Sequence, residues 1–138
     1  MKKIDLNMVA EEFEMINPET HVFYNIETGC FDFYSDLYGS PDDDTEKFED
    51  EAWIAAPHHW DIREYDMMEN FTETVSDQHK NELLCVALEG KGAFRRFKDT
   101  LHRVGLTDEW YRFKREAYVK IAKEWCDENG IEYDTHDE

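Results

Sequence analysis

From Asp61 to Gly130 the chain is a succession of amphipathic segments cut by glycine, and this punctuation constrains the fold more than anything else in the sequence. A helix buries a stripe of residues spaced three and four apart, and a glycine just beyond the stripe ends it. Ile62, Tyr65, Met68, Phe71 and Val75 make one stripe, and Leu83, Leu84, Ala87 and Leu88 a second. Phe94, Phe97, Leu101 and Val104 make a third, and Trp110, Phe113, Ala117, Ile121 and Trp125 a fourth. Gly90 stops the second, Gly92 opens the third, Gly105 closes it, and Asn129-Gly130 closes the last. Start signals fall at Asp61 with Glu64 in capping-box spacing, at Ser76 and at Thr107, which is followed by Asp108 and Glu109 in a first helical turn.

The first part of the chain reads differently. Asp5 can cap a short helix with Leu6, Val9, Phe13 and Ile16 on one face, ended by Asn17-Pro18. His21–Ile26 and Cys30–Ser35 alternate in polarity, and the short link Glu27-Thr28-Gly29 predicts a β-hairpin. Residues 38–51 form an acidic loop with room for one helical turn. Ala52–Ala56 reads as a third strand closed by Pro57. The fold class is therefore α+β: an N-terminal helix, a small three-stranded antiparallel sheet, then a bundle of about four helices packed together and against it. Residues 1–133 are expected to make one domain, and 134–138 a flexible tail.

Composition limits what such a domain can meet. The chain of 138 residues has 15 Lys and Arg against 34 Asp and Glu, a net charge of −19, yet 41% of it is hydrophobic and 14% aromatic, enough for a core. So negative a surface disfavours nucleic acid and anionic membranes, and suits a basic protein partner. No apolar run reaches the roughly 20 residues that span a bilayer, and no signal peptide is visible. Cys30, Cys85 and Cys126 are scattered and odd in number, as expected for free thiols in a reducing, cytoplasmic setting.

Against this background one basic stretch stands out. Lys91, Arg95, Arg96, Lys98, Arg103, Arg112, Lys114 and Arg115 fall among only three acids, Asp99, Asp108 and Glu109. The sharpest candidate site within it is an anion pocket at Gly90, Lys91 and Gly92, with Arg95, Arg96 and Lys98 nearby. A helix start offers free N–H groups and partial positive charge, glycines allow close approach, and guanidinium groups suit phosphate or carboxylate. The bland alternative is that Gly90 only ends a helix and the arginines pair with local acids.

Several blocks are similar to one family: Glu27-Thr-Gly29 in the hairpin, the strand ending at Pro57, Asp61-Ile-Arg-Glu-Tyr-Asp-Met-Met-Glu69, and Gly90-Lys-Gly-Ala-Phe-Arg-Arg-Phe-Lys-Asp-Thr-Leu-His-Arg103. Trp110-Tyr111 and Glu124-Trp-Cys-Asp-Glu-Asn-Gly130 join them. On these the chain resembles the uncharacterised bacterial protein family numbered 0158 in the UPF series, from about Leu6 to Tyr133, most loosely between Asp36 and Asp50. The resemblance implies a soluble bacterial protein with no established activity, so no catalytic residue carries over.

Other chemistry is poorly supported. Asp42, Asp44 and Glu46 begin with calcium-loop spacing, but Lys47 stands where the loop needs Gly and Trp53 where it needs Glu. Neighbouring His58 and His59 diverge, and no zinc pattern accompanies them. Cys85 reads as a core thiol and Cys126 as one whose pKa a helix C-terminus raises. No catalytic motif is visible, so catalytic residues stay unassigned, and no cofactor is predicted. The expectation is a non-enzymatic binding, regulatory or scaffolding module, with an enzyme or sensor for a small phosphorylated or carboxylated ligand near Gly90–Gly92 as the alternative, and nucleic-acid binding behind both.

Overall fold

The first helix begins where the sequence places its cap. In the computed structural model, which describes residues 3–37 and 46–134, the Asp5 carboxylate accepts from the Asn7 N–H at 2.9 Å and α1 runs Leu6–Glu14. Val9, Ala10 and Phe13 are its buried face. Three strands follow, β2 (Thr20–Asn25), β3 (Cys30–Ser35) and β4 (Trp53–Ala55), antiparallel in the order β3-β2-β4. A short strand β1 (Ile4–Asp5) precedes α1 and pairs in parallel with β5 (Tyr133–Asp134). The helices α2 (Glu64–Thr74), α3 (Gln78–Ala87), α4 (Ala93–Val104) and α5 (Thr107–Glu128) lie between. The α+β class and the order of helix, three-stranded sheet and four helices match expectation. The β1–β5 pair does not appear in the sequence reading, and it takes up Asp134, the first residue assigned there to the tail.

The described residues fall into two compact units, one built from the chain up to Ile62 with the segment from Tyr118 onward, the other Arg63–Ala117. In the first unit the hairpin register, Val22 opposite Phe33 and Tyr24 opposite Phe31, sends Tyr24 and Phe31 to one face. Phe13 and Trp125 pack there edge-on, 5.4 Å apart between centroids, with Tyr24 5.8 Å from Trp125. The indole N–H of Trp125 donates to Ala55 O at 2.9 Å. On the other face Phe48, from a 3-10 turn at Glu46–Glu49, stacks on Phe23 at 4.3 Å, while Lys47 pairs with Asp32 at 2.6 Å. The predicted helical turn of the acidic loop is thus at its end; residues 38–45 lie outside the described residues. The hairpin connection is organised by Asn25, whose side-chain oxygen accepts from the N–H groups of Glu27 and Thr28.

The second unit is a helical core around Phe71, Phe97 and Trp110. Their rings meet edge-on, 5.2 Å between Phe97 and Trp110 and 5.5 Å between Phe71 and Trp110. Burying each such ring contributes roughly 1.5–3 kcal/mol, with a further increment from the edge-to-face geometry. Three predicted caps are corrected here. Asp61 does not cap α2: it closes a 3-10 turn at His59–Asp61 by accepting from His58 N–H at 3.0 Å, and α2 starts at Glu64 without a side-chain cap. Asp77, not Ser76, caps α3, accepting from Lys80 N–H at 3.0 Å. The Thr107 hydroxyl is buried and unpartnered among the described residues, because the α4–α5 connection is too tight for a separate cap residue. Leu106 N–H already bonds to Leu101 O and Leu106 O accepts from Trp110 N–H.

The inward face of α4 also differs from the expected one. Phe97 and Leu101 are buried, but Phe94 is 48% exposed, and Ala93 and Thr100 take its place inside. At 100° per residue this turns the buried arc by roughly 30°. Small residues at 93 and 100 let α4 approach α3 closely, which a phenylalanine at the contact would prevent.

Candidate functional site

The α3–α4 turn, Leu88–Gly92, holds the predicted anion pocket, and Gly92 shows why its local sequence matters. Gly92 is the N-cap of α4 at φ +78°, a left-handed conformation that a side chain strains, and it offers no side-chain cap bond. A Cβ at this position would stand 3.1 Å from Nη1 of Arg96. Arg96, one turn into α4, folds back over the turn. Its Nε–H donates to Ala87 O at 3.2 Å, Nη1 to Lys91 O and Nη2 to Glu89 O. The guanidinium thus sits on carbonyls at and beyond the C-terminus of α3, where the helix dipole gathers partial negative charge. Three of its five N–H donors are engaged, none on an acid. Arg96 is a clasp on its own backbone, not the acid-paired residue of the bland alternative, and two of its donors stay unused.

The remaining bases divide sharply. Lys114 pairs with Glu64 at 3.1 Å, both half-buried, and Arg103 donates to the Thr100 hydroxyl at 3.3 Å. Lys91, Arg95, Lys98 and Arg112 are exposed and make no ion pair among the described residues. On α4, Arg95, Lys98 and His102 fall within about 60° of arc, with Lys91 in the turn just before. Exposed Phe94 flanks this strip on one side and Asp99 and Arg103 on the other. The turn and the first half of α4 thus carry Gly90, Lys91, Gly92, Arg95, Arg96 and Lys98; Lys91, Arg95 and Lys98 make no ion pair among the described residues, and Arg96 keeps two of its donors unused.

Charge follows the division into units. Arg63–Ala117 holds ten of the bases against eleven acids, and the other unit five against twenty-three. Within Arg63–Ala117 four acids, Glu64, Asp66, Glu69 and Glu73, lie on α2, and Glu69 and Glu73 line a cleft with Glu89 of the α3–α4 turn, Tyr65 and Cys85. The bases collect on α4 and the start of α5.

The thiols correct one expectation. Cys85 is exposed, its Sγ 3.5 Å from Asn81 Oδ1, so it is not a core residue. The α3 stripe is narrow enough for Leu84, Ala87 and Leu88 to fill it without Cys85. Cys126 is fully buried, and burial, helped by the Asp127 charge, pushes its thiol up to about 11. Burial leads here, rather than the helix terminus. Among the described residues no three His, Cys, Asp or Glu side chains converge as a metal site. Asp42 and Asp44 lie outside those residues, and Glu46 sits in the 3-10 turn. His58 instead lies 5.2 Å, ring to ring, from His21, which contacts Asp36 at 2.9 Å and stacks on Tyr34. No helix among the described residues is long and apolar enough to cross a membrane.

Residues 39–138 match a family-wide pattern described as the uncharacterised protein family UPF0158. The chain belongs to this family. The matched span takes in all of α2–α5 and the Arg96 clasp, and begins after the hairpin. A UPF0158 protein of Pseudomonas aeruginosa is 30% identical over 67 residues, 48% of this chain and 44% of that protein. The chain thus aligns with less than half the length of this curated relative. No solved structure matches. No activity attaches to the UPF0158 name.

Proposed function

We propose that this UPF0158 chain is a non-enzymatic binding module, of a regulatory or scaffolding kind, and that Lys91, Arg95 and Lys98 are its contact surface for an anionic partner. The observation that carries the reading is that these three bases keep no ion pair among the described residues of a chain with 34 acids. Lys80, Lys120 and Lys123 also make no ion pair among the described residues; what sets the three apart is that they lie together on one arc of α4 and in the turn before it. A cationic strip in a negative surface steers one kind of partner to one place and repels it elsewhere. The alternative, a small phosphate or carboxylate at Gly90–Gly92, keeps the open N-terminus of α4 but shares Arg96 with the clasp. A basic protein partner is the second reading, favoured by the five bases against twenty-three acids of the other unit.

Retention on immobilised heparin tests the strip. A chain of net charge −19 should flow through unless its cations are presented together. Retention at low salt, release as salt rises, and loss of retention in Arg95→Glu/Lys98→Glu is the expected pattern. Flow-through of the unaltered protein refutes the reading. A melting-temperature rise with inorganic phosphate or nucleotides, abolished by Lys91→Glu, would transfer the site to the small-ligand alternative.

A further inference from the structure

We infer that the cleft between α3 and α4 is the docking groove for an acidic amphipathic segment of another protein, an inference that rests on the binding-module reading and names the partner's chemistry. The cleft has a volume of about 410 Å³. One wall is aliphatic, Leu83, Val86 and Ala87 of α3, and the other polar, Arg96, Asp99, Thr100 and Arg103 of α4. Val86 is 63% exposed, an apolar side chain left in water where Leu84, two residues before, is fully buried. Arg103 spends one donor on Thr100 and makes no ion pair among the described residues, although Asp99 lies one turn away. On the helical wheel of α4, Arg103 lies about 80° round from Arg95 with Asp99 between them, so the cleft borders the Arg95–Lys98 strip across one acid.

The combination selects among anions. A small phosphate would use the guanidinium groups and leave Val86 and Leu83 wet. Single-stranded nucleic acid binds on flat aromatic platforms, whereas the cleft wall is aliphatic. A peptide helix with leucine or phenylalanine on one face and carboxylates beside it uses both walls: the apolar side chain displaces water from Leu83, Val86 and Ala87, and the carboxylates reach Arg103 in the cleft and Arg95 on the neighbouring strip. This is the anatomy of a binding hot spot, an apolar anchor inside a polar rim. The acidic remainder of the chain repels such a segment, which favours this groove over most of the surface.

The test titrates the full chain with a labelled amphipathic peptide of Glu and Leu. Polyglutamate of equal charge, the Lys/Leu counterpart and a single-stranded oligonucleotide are compared with it. Saturable binding of the Glu/Leu peptide is expected, about tenfold or more tighter than any of the three comparators. Val86→Asp and Arg103→Gln, both on exposed positions and checked for an unchanged melting curve, should each weaken it by about tenfold. Equal affinity for polyglutamate, or indifference to Val86→Asp, overturns the groove, because charge alone would then explain binding. Equal affinity for the Lys/Leu peptide overturns it from the other side, and tighter binding of the oligonucleotide replaces the partner class. Retention on heparin without peptide binding overturns this inference while leaving the cationic strip standing, and absence of both overturns the two together.

Discussion

Replacing Arg96 by glutamine separates a clasp from a ligand. The substitution removes three donors to the carbonyls of Ala87, Glu89 and Lys91, and barely changes helix propensity. Hydrogen bonds from charged donors contribute about 1.5–3 kcal/mol each when buried. Arg96 is exposed, and the freed carbonyls can turn to water, so each bond should count nearer 0.5–1 kcal/mol. Three bonds, with the loss of a cation from the C-terminal end of α3, give a destabilisation of about 2 kcal/mol. Arg95→Gln is the control one residue away, exposed and with no ion pair among the described residues, and should cost less than about 0.5 kcal/mol. Urea unfolding followed by circular dichroism measures both, with the slope checked for constancy. If Arg96→Gln and Arg95→Gln have the same midpoint as the unaltered chain, the clasp contributes nothing and Arg96 returns to the pool of free cations.

Three further outcomes follow from the same geometry. Gly92→Ala should cost about 1–2 kcal/mol, from the left-handed backbone and from displacing the Arg96 guanidinium 3.1 Å away. Combined with Arg96→Gln it should cost less than the sum of the two, since both disrupt one contact, and a double-mutant cycle reads the difference. Phe97→Ala should lose about 3–5 kcal/mol in denaturant unfolding and Phe94→Ala less than about 1, the ordering set by which ring is inside. Alkali should weaken the fold through Cys126: its folded pKa of about 11 lies above the ordinary 9.0, so below pH 9 both states keep the proton. Between pH 9 and 11 the unfolded thiol ionises first, and stability falls by up to about 3 kcal/mol. Cys126→Ala should lose this part of the pH dependence, seen as a smaller difference in urea midpoint between pH 8.5 and 11.

Much of the architecture can be read along the chain because its causes are local. Asp5 caps α1 through a bond to a residue two positions on, and Gly105 and Gly130 stop their helices where the apolar stripes run out. The hairpin follows from alternation in two adjacent segments. The errors share a different cause. Thr107 fails as a cap because Leu106 is held by the end of α4, and Cys85 lies outside because three neighbours already fill the contact of α3. Each is decided by a second element, which no local pattern describes.

The basic stretch divides along the same line. The sequence by itself determined that eight bases lie close together along a strongly acidic chain, since charge count and spacing are properties of the chain. Only the tertiary structure decided their employment: Arg96 on three backbone carbonyls, Lys114 on Glu64, Arg103 at a cleft, and Lys91, Arg95 and Lys98 facing solvent. The physical reason is that a long side chain reaches whatever partner packing brings within hydrogen-bond distance. That partner is chosen by the phase of α4 against α3, which small Ala93 and Thr100 set by going inside while Phe94 stays out.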